Sequence, residues 1–448
     1  MNLFKFKIKG FFTRIKRGRK NPNNGKTTKK ALNAGKNPDY NVNNRLGLRK
    51  RTLYLFLIAF VLLLLYYFGP IIYNVSTLQF SKAKGDKRIV NEDLSAKKMN
   101  ILLIGAHEYP GGYTFVDGLI LVSYDFDSQQ LGVFAINPDI RVNVPGLNRQ
   151  MEIRGMYNSA LLKGKETSFL MSSVESLLAV KIDRYMYISI DGLQQVLKDF
   201  PDLAVNLNNS INDVNTINTV SGKESHYPAG SVTVNSNEVI NLFASNANGR
   251  DDKLNRQVNS LIGEFKNLKS LKVFADFNDL FGNVMINIKT NMTKAELFRL
   301  GYNLLSIRDD TVKKGFTRSN SYYKLPSTNL YGSYMIIQDR LDTDISSILF
   351  NIDIFKEHAE IEVFNASNTT GLASNRARWI QNLGANVVKI GNADHVQDEV
   401  DLYCVNPDQY PETIRELRKI FSSNVTLIQE KYYNRQIGDI VIVMGRDY

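Results

Sequence analysis

The chain has 448 residues, more than one core usually organises, so two or three domains are expected. Hydrophobic residues make up 43% and charged residues 22%, which excludes a wholly disordered or collagen-like chain; the single cysteine, Cys404, excludes an intramolecular disulfide framework and a Cys-rich zinc module. The formal charge of +12 resides in the N terminus: residues 1–51 hold 16 Lys or Arg against Asp39 alone, while the remainder has 40 bases and 43 acids, so charge gives no reason for the body to bind nucleic acid.

In chain order, residues 1–51 read as a basic tail, with disorder expected over the Asn, Gly, Lys and Thr-rich stretch 21–36. Thr52 to Tyr73 is free of charge, and about 20 such residues cross a bilayer core of roughly 30 Å as a helix. Tyr66, Tyr67 and Tyr73 fall where an interfacial aromatic belt belongs. A cleaved signal peptide is disfavoured, because the preceding basic region is too long and no small-x-small site follows. The positive-inside rule places the tail in the cytoplasm and residues 75–448 outside, with the tail resting on anionic lipid. Residues 75–98 read as a polar linker.

Asn100 to Gly105 reads as a buried strand, with further strands at Leu119–Tyr124 and Leu131–Ile136. Phe169, Leu170, Val174, Leu177 and Leu178 share one helical face. A strand at 183–190, a helix through Leu193, Val196 and Leu197, and a longer amphipathic helix at Leu254–Leu268 complete an α/β layered domain over 99–310. Residues 311–356 read as a connection. A small α/β unit follows over 357–448, with strands at Glu360–Phe364, Asn386–Ile390, Leu402–Val405 and near Val425 and Ile440, and helices at Gly371–Leu383 and Pro411–Phe421. Trp379 and Cys404 read as core, and Tyr432 and Tyr433 as an exposed pair. The histidines, at 107, 226, 358 and 395, are too scattered to suggest a metal cluster.

Ile101-Leu-Leu-Ile-Gly105, Asp117-Gly-Leu-Ile-Leu121, Ala135-Ile-Asn-Pro-Asp139, Ile182-Asp-Arg-Tyr185, Tyr227-Pro-Ala-Gly230, Arg256-Gln257 and Ile286-Asn-Ile-Lys-Thr290, in this order, resemble the LytR–CpsA–Psr (LCP) domain. Ile361-Glu-Val-Phe-Asn-Ala-Ser367, Thr370-Gly-Leu-Ala373 and Leu383-Gly-Ala-Asn-Val-Val388 are similar to the LytR C-terminal domain. The resemblance implies an α/β/α layered domain with a mixed central sheet behind a single transmembrane helix. It also implies transfer of a glycopolymer from a polyprenyl-pyrophosphate carrier to peptidoglycan or another envelope polymer. Such chemistry needs cations and carboxylate-held Mg²⁺ for the pyrophosphate, a base for the attacking hydroxyl, and an apolar slot for the prenyl chain.

Carried over by resemblance, Asp117 and Asp139 hold catalytic and metal positions, Arg256 a catalytic one, and Lys253 and Gln257 substrate-binding ones. Other basic positions of the family's pattern are changed: Phe115, Pro138, Glu152, Ala244 and Asn246 stand there, and His107, followed by Glu108, takes an aspartate place. Arg141, Arg154 and Arg250 lie nearby as replacement substrate-binding bases, Arg141 because a two-residue step along a strand returns to the face of Asp139. Structural readings stay open: Asp117 and Asp139 as turn or cap residues, Arg256 on a solvated helix face, Asp251-Asp252 as a helix first turn. The functional alternatives are a catalytically degenerate protein that binds isoprenoid phosphate or envelope partners without transfer, and, ranked last, a regulator acting through the tail.

Overall fold

A computed structural model describes residues 80–88, 92–147, 149–198, 200–213, 225–268, 282, 284, 286–325, 334–421 and 425–446. The expected basic tail and membrane span lie outside the described residues; among those described, no helix is long and apolar enough to cross a membrane.

The sheet begins with β1 (Lys98–Tyr109) and β2 (Tyr113–Asp125), an antiparallel pair continued by β3 (Gln130–Ala135). After β4 (Ile140–Val144), β5 (Arg149–Glu152) and α1 (Glu166–Leu178), the chain returns as β6 (Arg184–Ser189), parallel to β1. Next come α2 (Ile190–Leu197), β7 (Leu203–Leu207), β8 (Ile211–Asp213), β9 (Ser225–Tyr227), β10 (Gly230–Val234), α3 (Ser236–Ala244), α4 (Gly249–Asn267), β11 (Ile288–Thr290) and α5 (Lys294–Leu304). β12 (Val312–Phe316), β13 (Tyr322–Lys324), β14 (Tyr334–Ile336), α6 (Gln338–Leu349) and α7 (Ile352–Glu357) follow. The six-stranded order β11-β6-β1-β2-β3-β12 mixes parallel and antiparallel neighbours, as expected.

Strand alternation sorts the core into two layers. Leu102, Ile104, Leu119 and Leu121 meet α1 and α6 through Leu170, Val174, Leu341 and Ile345. Ile101, Ile120 and Val122 on the other face meet α4 and α5 through Leu254, Val258, Leu300 and Leu304. This is the expected α/β/α layering.

Two expected boundaries are corrected. The polar segment 80–88 is fastened to the domain: Ala83 N–H donates to Tyr185 Oη at 2.9 Å, and Arg88 Nη2 to Glu175 Oε2 at 2.6 Å. Residues 311–356 are no connection. β12 pairs with β3, β14 pairs with β4, and α6 covers the sheet, so this segment completes the first domain.

The second unit adds β15 (Glu360–Asn365), α8 (Leu372–Asn382), β16 (Asn386–Asn392), β17 (Val400–Cys404), α9 (Pro411–Phe421), β18 (Val425–Ile428) and β19 (Ile440–Met444). Its sheet order is β16-β15-β19-β17-β18, and Trp379 and Cys404 are core. Tyr432 and Tyr433 differ from expectation: they are half-buried against Phe364, and Tyr433 Oη donates to the buried Glu362 at 2.5 Å. α8 docks on the first domain, Arg378 Nε donating to Asp342 Oδ2 at 2.7 Å and Asn382 Nδ2 to the Leu178 carbonyl at 3.1 Å. The last carbonyls of α1, which lack helical donors, are thereby satisfied.

Candidate functional site

Asp117 owes its position to a β-bulge. Gly105 pairs with Gly118 and Ala106 with Val116, so Asp117 is the extra residue of β2 and has no partner in β1. A bulge re-aims the side chain it inserts, and Asp117 lines a cavity of about 920 Å³. Asp139 is set by the turn after β3. Asn137 N–H donates to Thr317 Oγ1 at 2.9 Å, and Asn137 Oδ1 in turn accepts from Asp139 N–H at 3.0 Å.

Arg154 joins the two carboxylates. It stands in a short 3-10 turn, Ile153–Asn158, pinned by the buried Ile153 and Met156, and its N–H donates to the Pro138 carbonyl at 2.8 Å. Its Nε donates to Asp139 Oδ1 at 2.6 Å and its Nη1 to Asp117 Oδ1. Burial opposes the charge on Arg154, but Asp139 and Asp117 outweigh it and raise the pKa. Arg250, in the first turn of α4, donates from Nη2 to the second oxygen of Asp139. Lys253, one turn further on, reaches the Ala244 carbonyl at 2.9 Å and Asn246 Oδ1 at 3.1 Å. Burial pushes its ammonium down to about 8, with Arg250 adding to the shift and Asp117 opposing it.

Asp117, Asp139, Arg154, Arg250 and Lys253 are thus brought together, and Gln257 lines the same cavity while its Nε2 donates to the Phe243 carbonyl at 3.3 Å. Two expected residues fall elsewhere. Arg141 does not reach Asp139; its Nη2 donates across the β4–β5 pair to the Gln150 carbonyl at 3.2 Å. Arg256 neither lines the cavity nor lies on a solvated face. It is 4% exposed, paired to Asp252, and donates to the Leu242 and Ser245 carbonyls at 3.2 and 2.6 Å. A cation is favourable at these carbonyls because they end α3. Asp251 and Asp252 do occupy the helix first turn.

The sequence reading named His107 only for its aspartate place and missed its pairing with Tyr109 at the rim. His107 and Tyr109, two residues apart on one face of β1, stack with centroids 4.0 Å apart and both line the cavity. Their i,i+2 spacing was the available signal. Behind the rim the walls are apolar: Ile101, Leu103 and Ile120 from the sheet, Leu193 from α2, Leu261 and Phe265 from α4, and Leu297 from α5.

Mg²⁺ takes about six oxygen ligands at roughly 2.0–2.1 Å. Here a guanidinium stands between the two carboxylates expected to hold it. Among the described residues no group of three or more His, Cys, Asp or Glu is placed to hold a metal ion. The residues present do not fit the ion.

The wall also carries a carboxyl group. Glu264 is 8% exposed, and burial pushes its carboxyl up from 4.5 to about 7, partly opposed by Asn267, whose Nδ2 donates to it at 3.2 Å. A raised folded pKa adds stability that is complete below pH 4.5 and is lost as pH rises through about 7. Glu264→Gln, uncharged throughout, is therefore expected to gain on the native chain by up to about 3 kcal/mol between pH 5 and pH 8. Denaturant unfolding at the two pH values measures this, and an equal difference at both would refute the shift.

A profile of the LytR_cpsA_psr family matches residues 67–344, and one described as LytR cell envelope-related transcriptional attenuator matches residues 358–448. The chain is 23% identical over 269 residues to the polyisoprenyl-teichoic acid–peptidoglycan teichoic acid transferase TagV of Bacillus subtilis (strain 168), covering 56% of this chain and 66% of that protein, just under two thirds of its length. It is 22% identical over 260 residues to regulatory protein MsrR of Staphylococcus aureus (strain COL), covering 55% and 75%. A crystal structure of B. subtilis TagV superposes with a TM-score of 0.48 at 16% identity, covering 65% of this chain and 98% of that one.

Proposed function

The chain belongs to the LytR_cpsA_psr family, and from that membership we propose that it is a membrane-anchored, extracytoplasmic protein of the bacterial cell envelope that transfers a glycopolymer from a polyprenyl-pyrophosphate carrier to a cell-wall acceptor. The carrying observation is one cavity that combines a long apolar wall with a charged mouth. Its volume of about 920 Å³ lies at the upper end of the roughly 300–1,000 Å³ usual for ligand sites. The prenyl chain occupies the apolar part. Arg154 and Lys253 meet the phosphates, and His107 and Tyr109 offer a ring surface to the first sugar. Two similar proteins, TagV and TagU of Oceanobacillus iheyensis, carry the name polyisoprenyl-teichoic acid–peptidoglycan teichoic acid transferase, which names a carrier and acceptor of this kind. The charge-free run 52–73 behind 16 basic residues supports the anchor and its direction.

In the transfer, an acceptor hydroxyl oxygen bonds to the glycan-side phosphorus, and the bond from that phosphorus to the bridging oxygen breaks. Polyprenyl phosphate leaves with the electron pair, its charge met by Arg154 and Lys253, and the hydroxyl proton passes to Asp117 or to water. One observation favours a second reading, binding without transfer: both carboxylates are already held in ion pairs.

The test is the full chain in nanodiscs with a radiolabelled polyprenyl-pyrophosphate glycan and a peptidoglycan fragment. Transfer predicts release of polyprenyl phosphate, reduced at least 10²-fold by Asp117→Asn while the lipid still binds. Binding without release establishes the second reading, and absence of binding overturns both.

A further inference from the structure

The mouth of the cavity is built around a guanidinium. Arg154 takes one oxygen of Asp117 and one of Asp139, and Arg250 takes the other oxygen of Asp139. Arg154 is no swinging side chain that happened to fall there. Its backbone N–H is bonded to Pro138, the neighbour of Asp139, and the flanking Ile153 and Met156 are fully buried. The Asp139 side chain is 14% exposed and Arg154 24%, so the cluster is shielded from water and its charges act on each other strongly.

A divalent ion needs carboxylate oxygens converging on one empty point at short range. Here the point between Asp117 and Asp139 is filled by a cation tied covalently to the chain. An incoming ion would have to expel Arg154 and withstand Arg250 and Lys253 nearby. The two aspartates are balanced by the two arginines, and Lys253 adds a further basic group on the cavity wall.

We propose that Arg154 is the resident cation of this site, taking the place of a divalent ion between Asp117 and Asp139, so that the chain binds the pyrophosphate of a prenyl lipid without metal. The inference rests on the lipid-binding reading above only in its last clause. Its cation clause stands on the ion-pair geometry alone. Arg154 then has two duties: it keeps the carboxylates apart from each other's charge, and it offers its remaining Nη2 donors to phosphate oxygens.

The test uses the full chain in nanodiscs of zwitterionic lipid, titrated with Mn²⁺ and followed by electron paramagnetic resonance. The native chain and Arg154→Lys are expected to take up no stoichiometric Mn²⁺. Arg154→Gln is expected to gain one Mn²⁺ per chain, and to lose it again when Asp117→Asn is added. Uptake by the native chain that Asp117→Asn abolishes overturns the proposal, as does an Arg154→Gln variant that melts like the native chain yet stays silent. In parallel, farnesyl pyrophosphate is titrated with and without EDTA. Affinity for the native chain is expected to agree within twofold, whereas Arg154→Gln should weaken at least tenfold in EDTA and recover with Mg²⁺. A tenfold loss in EDTA for the native chain overturns metal-free binding. Failure of farnesyl pyrophosphate to bind in either buffer overturns the lipid reading and with it metal-free binding of the lipid; the manganese titration still decides the cation assignment.

Discussion

Arg184→Ala is expected to lower the unfolding free energy by about 3–5 kcal/mol, the usual cost of leaving a buried charge without its partner. Arg184 is 5% exposed and Glu296 is fully buried. The guanidinium binds the carboxylate bidentately, Nε to Oε2 at 2.8 Å and Nη2 to Oε1. Burial works against the Glu296 charge, yet the Arg184 donors and the Thr293 N–H hold its carboxyl below the ordinary range. The same carboxylate closes the capping box at the start of α5, accepting from Thr293 N–H at 2.9 Å. One substitution therefore loosens β6, which pairs with both β1 and β11, and α5, which walls the cavity. Replacing both partners, with Arg184→Met and Glu296→Leu, should cost less than Arg184→Ala, because the stranded charge is gone and mainly the cap is lost. Chemical denaturation of the full chain measures both. A loss below 1 kcal/mol for Arg184→Ala would show that the pair holds nothing together.

Leu261→Trp is expected to weaken prenyl-lipid binding by two to three orders of magnitude. Leu261 is half-buried on α4 and lines the cavity, so a larger ring there enters open space instead of forcing the core. Excluding a branched five-carbon unit of lipid forfeits about 3–4 kcal/mol, at about 0.8 kcal/mol for each buried methylene-sized group. Farnesyl pyrophosphate and inorganic pyrophosphate separate the two halves of the site. Affinity for the first should collapse while affinity for the second holds, with the melting temperature close to that of the native chain. Unchanged farnesyl pyrophosphate binding would mean that the prenyl chain lies elsewhere.

Much of the fold was legible because apolar periodicity is strong in the buried elements. The helix expected at Pro411–Phe421 has those ends, and the strand expected at Asn100–Gly105 is the centre of β1, which runs on in both directions, to Lys98 and to Tyr109. The segment 311–356 was not legible. β12 is an edge strand of intermediate burial reading Val-Lys-Lys-Gly-Phe, and it pairs with β3 across 181 positions of sequence, which no local pattern encodes. At the site, the resemblance carried Asp117, Lys253 and Gln257 to the cavity and Asp139 to the arginine that lines it, but misplaced Arg256, because a helix face gives no sign of whether its cation meets a ligand or a neighbouring helix end. Arg141 failed for a related reason. Strand alternation predicts facing only within a strand, and Asp139 precedes β4. Arg154 was expected only as a replacement substrate-binding base, without its carboxylate partners. Its partners depend on a tight turn after β5 that apolar spacing does not reveal.

The bulge at Asp117 also divides β2 into two reading frames. Val116 and Leu119, three positions apart, both enter the core beneath α1, so the inward phase is reset at the inserted residue. Substitutions on the rim side of Asp117 can drift without rotating the cavity floor, whereas deleting the inserted residue would restore plain alternation, with Val116 and Leu119 still facing the core, and remove the position that the bulge aims at the cavity. Length, more than residue type, is what this stretch must conserve.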